Sequence, residues 1–273
     1  MEMSANGYQD FKTNNFAPVI PNLNSGLLNI SIKELQKMKI SVEQTPKQKI
    51  SDYVLGNVNS VSIVHLPGSP LGNSTRTISS LRKRNTRINI IPHIAARNLR
   101  NKKELFDACD KFLDYGIRDL LLIGGSKSHG SCYGNAHDVQ SDLLEKDYTF
   151  NYFCGIYPNQ ETHQQVNEKK YTRFDRGISQ ICFNHRLLNA FDNRTVIGVP
   201  SNCSAKDLFK FVKLCGVTKT AKEAAINIAG MRYVSYYGFN TVKFVQKLNK
   251  NQDIHIFNFG NLDNTIKTFK KIY

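Results

Sequence analysis

The alternation of strand-like and helix-like segments constrains the fold of this chain more than any other sequence feature. Eight short apolar runs are separated by segments whose apolar residues have helical spacing, and this pattern is typical of a parallel α/β fold. The runs are residues 39–43, 60–66, 88–93, 119–124, 151–157, 177–183, 195–199 and 253–257. Eight strands connected through helices close naturally into a (βα)8 TIM barrel. An open, doubly wound sheet is the structural alternative.

The segments between the strands predict the helices and the limits of the barrel. Helical spacing covers residues 50–58, 74–84, 102–115, 136–145, 163–174, 187–191, 205–215 and 221–248. Gly116 and Gly216 follow two of these segments, where a left-handed C-terminal residue is needed, and Ser204 and Thr220 precede two others as N-caps. Residues 1–37, rich in Asn and Ser, come before the first strand. We therefore predict an N-terminal extension over residues 1–37 and a barrel over residues 38–273.

Composition limits the class of protein. With 273 residues and 40% hydrophobic content, the chain is long enough to bury the core of one large domain. Its apolar runs are far shorter than a membrane span, and its first residues lack the basic start and apolar stretch of a signal peptide. The six cysteines form no CxxC pair, so we predict reduced thiols and neither a disulfide framework nor a metal site. These features indicate a cytoplasmic protein.

The formal net charge of +15 raises the question of an anionic partner. Lys and Arg recur over residues 82–103 and 243–271, spaced by apolar residues as on solvated helix faces. This spacing favours a solvated surface over a nucleic-acid groove, whose affinity would come from counterion release. A third interpretation is that part of the charge attracts a small polyanion, such as a dinucleotide cofactor or a polycarboxylate substrate.

Glu43, at the end of the first strand, is the best single candidate for a catalytic residue. Active sites of such barrels form at the carboxyl ends of the strands, and strand alternation points this carboxyl group into the barrel mouth. Burial destabilises the ionised form of a Glu, so a partly buried Glu can donate a proton near neutral pH. A structural Glu paired with a basic neighbour is the alternative.

Two other strand ends carry weaker signals. His93 ends the third strand and is interpreted either as a ligand contact or as a core histidine that satisfies backbone groups. Gly124 and Gly125 permit close backbone approach to a ligand, although a tight turn explains the pair equally well. Neither the GxGxxG nor the GxxxxGK[ST] pattern of phosphate-binding loops is present.

Six short motifs follow one another at the strand ends. They are Ser41-Val42-Glu43-Gln44-Thr45-Pro46-Lys47, Pro92-His93, Gly124-Gly125-Ser126, Tyr157-Pro158-Asn159, Ser179-Gln180-Ile181-Cys182-Phe183 and Gly198-Val199-Pro200. In order and position they resemble motifs of the methylenetetrahydrofolate reductase family, which read S-F-E-F-F-P-P, P-H, R-G-D or G-G-D, Y-P-E, T-Q-x-x-F and G-[VI]-P. The resemblance spans residues 38–260.

This resemblance implies a TIM-barrel oxidoreductase of one-carbon metabolism. The family is a group of flavoproteins that interconvert 5,10-methylene- and 5-methyl-tetrahydrofolate, with FAD as cofactor and NAD(P)H as electron donor. Glu43 would then be the acid that protonates the folate nitrogen and opens the methylene bridge. The implied folate-binding residues are Gln180, Ser126 and Phe183, and the implied FAD-binding residues are His93, Gly124, Gly125, Tyr157, His163 and Lys169.

The chain also departs from the family pattern. Ser126 replaces an aspartate that positions the pterin, and only Lys169, Lys170 and Arg173 are available where the family holds the FAD phosphates. Residues 259–261 do not reproduce the family's Asn-Arg after the eighth strand. A flavin-independent, tetrahydrofolate-dependent one-carbon enzyme therefore remains an alternative, as does a non-catalytic basic barrel that binds nucleic acid. Assembly into a homo-oligomer is left open.

Overall fold

A computed structural model describes residues 38–125, 130–208, 234–235, 238–248 and 252–272. Its strands are β1 (Ile40–Gln44), β2 (Ser60–Ile63), β3 (Asn89–Ala95), β4 (Asp119–Ile123), β5 (Asn151–Ile156), β6 (Arg176–Ser179), β7 (Thr195–Pro200), β8 (Val234–Ser235), β9 (Gly238–Phe239) and β10 (Ile254–Phe257). Strands β1 to β7 and β10 are parallel neighbours, and β10 pairs with both β7 and β1. The sheet closes on itself, which confirms the predicted (βα)8 barrel. The alternative of an open sheet is excluded.

The helices that alternate with these strands are α1 (Asp52–Leu55), α2 (Gly72–Arg84), α3 (Lys102–Asp114), α4 (Ala136–Glu145), α5 (His163–Lys169), α6 (His185–Asn189), α7 (Thr241–Val245) and α8 (Leu262–Ile272). Helix α4 has the predicted bounds. Helix α1 is shorter than the predicted segment 50–58, because the Gly56 amide closes the last turn onto the carbonyls of Asp52 and Val54. Helix α5 ends at Lys169 rather than at residue 174, and α6 begins two residues before the predicted segment 187–191.

Two predicted helix boundaries are confirmed and two lie outside the described residues. Gly116 adopts a left-handed conformation with φ of 69° after α3. The Ser204 hydroxyl accepts the Asp207 amide at 3.1 Å, as an N-cap does. Gly216 and Thr220 are not among the described residues, nor is the predicted extension over residues 1–37. The predicted helix 205–215 is described only over residues 205–208, which are helical.

The predicted helix over residues 221–248 is confirmed at Thr241–Val245, which form α7, and is wrong at the residues described before them. Strands β8 and β9 form an antiparallel hairpin, which the short helix α7 follows. Gly238 has φ of 102°, and the Phe239 amide donates to the Cys203 carbonyl at 2.8 Å. A left-handed residue and a long-range backbone bond are both incompatible with a continuous helix. Helix α8, which sequence reasoning missed, begins after Asn261, whose side chain accepts the Asn264 amide at 2.9 Å.

Alternation along the strands divides the apolar core into two parts. Outward side chains such as Val42, Ile90 and Leu122 pack against the helices and form the larger cluster. Inward side chains form a smaller cluster inside the barrel, which we call the inner plug: Ile91, Leu121, Phe153, Ile178 and Val196, each 4–5% exposed. Side chains fill the barrel, so it is a packed core rather than a pore. Within the described part of the chain, no helix is long and apolar enough to cross a membrane.

Candidate functional site

The carboxyl ends of the barrel strands bring a mixed set of side chains to one surface. Every second residue of each strand points inward, and the register places Glu43 beside Ser62 and Phe257 beside Pro200. We define the mouth as the inward residues of this end of the barrel: Glu43, Ser62, His93, Gly155, Gln180, Gly198 and Phe257. Of the positions predicted from sequence, the structure brings Glu43, His93 and Gln180 to this surface.

Glu43 is half-buried at the mouth. Its neighbours Val42 and Gln44, 0% and 5% exposed, face the helices instead. No hydrogen bond or ion pair joins the Glu43 carboxylate to another described residue. An acidic side chain in this position, without a cationic neighbour to hold it, is available to a ligand. The alternative prediction, that Glu43 forms a structural ion pair with a basic neighbour, is therefore not supported by the described residues.

His93 is held inside the barrel as a neutral group. Its Nε2 contacts the Ser62 hydroxyl, which donates its own proton to the Ile91 carbonyl at 3.2 Å. The imidazole must therefore donate from Nε2, which leaves a lone pair on Nδ1. Burial, with smaller contributions from His255 and His65, lowers the pKa of His93 to about 3. An imidazole that stays uncharged near neutral pH supplies no cation for a phosphate.

A second serine–histidine pair lies on the other side of Glu43 and was missed by sequence reasoning. Ser41, one inward position below Glu43, contacts Nδ1 of His255 at 3.0 Å. His255 is fully buried, and its Nε2 has no hydrogen-bond partner among the described residues. Strand alternation within the predicted strand 253–257 could have identified His255 as an inward residue.

Aromatic rings line the mouth along β10. Phe257 lies edge-on to His255 at 4.9 Å between ring centroids and stacks on Phe259 at 5.4 Å. Gly198 makes room for this arrangement, because a Cβ atom there would lie 2.6 Å from the Phe257 ring and collide with the Ser179 carbonyl. Since Ile256 pairs with Val42, Phe257 lies beside Glu43, and a flat ligand ring at Glu43 would meet an aromatic wall.

The backbone of the Gly124-Gly125 pair is approached closely by side chains of the protein, which occupy the space predicted for a ligand. A Cβ atom on Gly124 would lie 2.9 Å from the Arg97 guanidinium, and one on Gly125 would lie 3.0 Å from the side chain of Ala95. Gly125 also has φ of 74°, which favours glycine. Arg97, which sequence reasoning missed, donates from Nε to the Gly134 carbonyl at 3.1 Å. The Gly124 surface is thus covered by a guanidinium group.

Tyr157 lies over the backbone of Gly155, with its hydroxyl 3.4 Å from the position of a Cβ atom there. The ammonium of Lys170 lies 4.8 Å from the centre of the Tyr157 ring, donates to the Gly155 carbonyl at 2.6 Å and pairs with Glu161 at 2.7 Å. Burial, with the charge of Glu161, raises the pKa of Tyr157, while Arg97 opposes the shift. At neutral pH Tyr157 is therefore a neutral hydroxyl.

The structure places two predicted FAD contacts on α5, away from the mouth. His163 contacts the side chain of Asn167 at 3.1 Å and lies edge-on to Phe191 at 6.0 Å, within the helical layer. Lys169 is exposed in the last turn of the helix. Among the described residues, neither side chain contacts a mouth residue. The cation that reaches the strand ends is instead Lys170, which directly follows α5.

The predicted folate contacts are also separated. Gln180 is half-buried at the mouth, and its backbone amide extends the ladder to the Ile156 carbonyl at 2.7 Å. Phe183 is 3% exposed and packs with Phe239 and Phe244 in an aromatic cluster at centroid distances of 5.8 and 6.0 Å. Ser126 lies outside the described residues. Of the three, Gln180 alone is placed at the mouth.

Comparison with known proteins shows a likeness in structure and none in sequence. No protein-family model and no curated protein matches the chain. A solved structure of a Clostridium thermocellum protein, described as binding two copies of 5-methyl-5,6,7,8-tetrahydrofolic acid, is similar with a TM-score of 0.55 at 13% identity, over 88% of this chain and 97% of that chain. At this identity the likeness shows the barrel fold alone.

Two further solved structures are more distant. A 2,3-dimethylmalate lyase matches at 7% identity with a TM-score of 0.46, over 88% of this chain and 80% of that chain. A 2-keto 3-deoxygluconate aldolase from Picrophilus torridus matches at 14% identity with a TM-score of 0.40, over 80% and 95%. TM-scores this low carry no information on function.

Proposed function

We propose that this protein is a reduced-folate enzyme of the methylenetetrahydrofolate reductase type, with its site at the barrel mouth and Glu43 as the acid. The half-buried Glu43 carboxylate, which has no partner among the described residues, carries this proposal. The described ligand of the Clostridium thermocellum protein supports the ligand class. The motif resemblance at Glu43, His93 and Gln180 supports the same assignment.

The chemistry assigned to the chain is proton transfer and positioning. In its protonated form, Glu43 donates a proton to the folate nitrogen that closes the methylene bridge, and the bridge then opens to an electrophilic iminium. A positioned acid of this kind contributes about 10²- to 10⁴-fold to a rate. The Gln180 amide has both donors and an acceptor, which suits the edge of a pterin ring. His93 and Ser62 fill the barrel interior below Glu43, and because both are neutral they place no charge beside the Glu43 carboxyl group.

The proposal has two forms, which differ in the cofactor. In the first, the protein is an oxidoreductase that interconverts 5,10-methylene- and 5-methyl-tetrahydrofolate, and FAD supplies hydride transfer with NAD(P)H as donor. The described residues do not fit FAD: Arg97 covers Gly124, His163 faces the helical layer, and Lys170 is engaged by Glu161. A dinucleotide needs free donors at its diphosphate.

These placements favour the second form, a flavin-independent, tetrahydrofolate-dependent one-carbon enzyme. It keeps Glu43 and Gln180 in the same roles and requires no diphosphate site.

Absorption spectra and folate titration of the purified protein test both forms. Colourless protein that binds 5-methyl-tetrahydrofolate supports the flavin-independent form, whereas yellow protein that NADH bleaches supports the FAD-dependent form. The variant Gln180→Ala should weaken folate binding by about tenfold, since it removes hydrogen bonds to the ligand. The exposed Gln164→Ala on α5 is the matched control. Wild-type protein that binds no reduced folate contradicts both forms.

A further inference from the structure

Helices α1, α7 and α8 form one side of the barrel exterior, because α8 packs against both of the others. Exposed lysines lie three or four positions apart on α8 and at the end of α7, and residues with this spacing share one face of a helix. An exposed tyrosine of α1 lies beside them. We call this surface the lysine face and define it by Tyr53, Lys243, Lys247, Lys267, Lys270 and Lys271.

The lysine face carries a positive charge that its own helices do not neutralise. None of its five lysines forms an ion pair with a residue that the structure describes. The carboxylates of these three helices are both engaged elsewhere: Asp263 accepts from the Ser51 hydroxyl at 2.5 Å, and Asp52 pairs with Arg84 at 2.6 Å. A cluster of uncompensated like charges attracts a polyanion, which gains affinity by releasing its counterions.

Tyr53 adds an aromatic ring to this charge. Its side chain is 40% exposed, and among the described residues the other large apolar side chain with such exposure is Leu144, on α4. The ammonium of Lys267 lies 5.6 Å from the centre of the Tyr53 ring. Exposed aromatic rings within a basic surface are the platforms on which unpaired bases stack. The bases of a duplex are already stacked on one another, so this ring suits a single strand.

The packing of α8 argues against an anionic membrane as the partner. A helix that lies in a membrane interface inserts its apolar side into the lipid. The apolar side of α8 is not available for this, because Leu262, Ile266 and Phe269 are 5%, 0% and 1% exposed and belong to the larger core cluster. The lysine face can therefore offer a lipid surface its charge but little apolar contact.

We propose that the lysine face binds single-stranded nucleic acid, with phosphates at the lysines and one base stacked on Tyr53. The spacing along the sequence favours a solvated surface for residues 243–271, but it does not show which groups lie beside each lysine. The structure adds a neighbouring helix that supplies an aromatic ring. Contacts to phosphates and to a base face carry little sequence information, so binding is general. The inference does not depend on the proposed function, because the lysine face lies outside the barrel.

Fluorescence anisotropy with labelled oligo(dT) and oligo(U) of about 20 nucleotides tests the proposal. We expect both to bind, because DNA and RNA share the phosphates and base faces that are contacted. Five phosphate contacts predict a slope of about −3.5 for the logarithm of affinity against the logarithm of salt concentration. Affinity should therefore fall about 10²-fold between about 50 and 200 mM salt.

A double variant separates the lysine face from charge in general. Lys270→Gln with Lys271→Gln should reduce the slope to about −2 and weaken binding about 50-fold at about 50 mM salt. The control Arg118→Gln with Lys146→Gln removes the same charge from exposed residues on the opposite side of the barrel and should keep the wild-type slope. Reduced-folate affinity should be the same in both variants.

Tyr53→Leu tests the stacked base. It keeps an apolar side chain and all five lysines, so we expect binding to weaken about tenfold at an unchanged salt slope. The same affinity as wild type would overturn the assignment of a single strand to this face.

Two further results would overturn the proposal. The first is wild-type protein that binds neither oligonucleotide at low salt, including protein that instead binds vesicles containing phosphatidylserine. The second is an equal loss of affinity in the two double variants, which would show that net charge rather than the lysine face attracts the strand. Neither result bears on folate binding at the mouth, which is measured separately.

Discussion

The charged groups at the two ends of the barrel differ in whether they have partners. At the amino ends of the strands, a cavity of about 320 Å³ is bordered by three charged side chains that have partners. Arg176 binds Asp253 at 2.7 Å, and Asp119 accepts from Asn89 and Asn151 at 2.7 and 2.8 Å. At the mouth, Glu43 has no partner among the described residues. Paired charges contribute to the fold, whereas an unpaired carboxylate is available to a ligand.

The largest expected effect comes from Glu43→Gln at the mouth. The substitution keeps the shape of the side chain but removes the proton donor, so we expect turnover of folate to fall by about 10²- to 10⁴-fold. The midpoint of thermal unfolding should change little, because the carboxylate stabilises no described neighbour. Steady-state kinetics and calorimetry measure the two quantities, and Glu145→Gln on α4 is an exposed control. Full turnover in Glu43→Gln would remove Glu43 as the acid.

The neutral His93 makes stability depend on pH. Burial lowers the pKa of His93 from 6.5 to about 3, so between these values the unfolded chain binds a proton that the folded chain does not. The contribution is fully present above pH 6.5 and is lost as the pH falls towards 3, by on the order of 3 kcal/mol at pH 4. Urea unfolding at several pH values should show a steeper acid loss for wild type than for His93→Asn. Identical slopes would mean that His93 is not held neutral.

Asp253→Ala tests the amino end of the barrel. Asp253, at 19% side-chain exposure, accepts the Lys39 amide at 3.0 Å and pairs with Arg176, so we expect a loss of about 2 kcal/mol in the free energy of unfolding. Folate affinity should not change. The control Asp107→Ala breaks the exposed Lys103–Asp107 pair and should lose less than about 0.5 kcal/mol. A large loss of folate affinity in Asp253→Ala would contradict the division between the two ends.

The smallest expected effect comes from Phe257→Leu at the mouth. Leucine keeps the apolar contact with Gly198 but removes the aromatic face, so we expect reduced-folate affinity to fall about fivefold, or about 1 kcal/mol. Phe106→Leu is the matched control, because Phe106 stacks on Tyr148 at 6.2 Å in the helical layer. Equal affinities of Phe257→Leu and wild type would show that the ligand ring lies elsewhere.

The barrel was predictable because its strands are specified locally. Runs such as 119–124 and 151–157 combine apolar residues with turn residues at both ends, and strand alternation then fixes which side chains face inward. The positions of Glu43, His93 and Gln180 at the strand ends were predicted in this way. The hairpin of β8 and β9 could not be predicted, because the Phe239 amide in it donates to the carbonyl of Cys203, which is distant in sequence.

The contacts between loops were less predictable than the strands. Arg97 and Lys170 reach Gly124 and Gly155 only because the chain after β3 and the helix α5 return over the strand ends. The position of His163 depends on where α5 begins, and its motif was displaced in sequence. Motif spacing suggests which residue types are present, but the direction of each side chain depends on the packed neighbours.

The inner plug separates the two ends of the barrel from each other. Because Ile91, Phe153 and Ile178 separate the mouth from the paired charges at the other end, substitutions at the two ends share no described contact and should be additive. Residues at the mouth can therefore be exchanged without losing the interactions that keep the barrel folded.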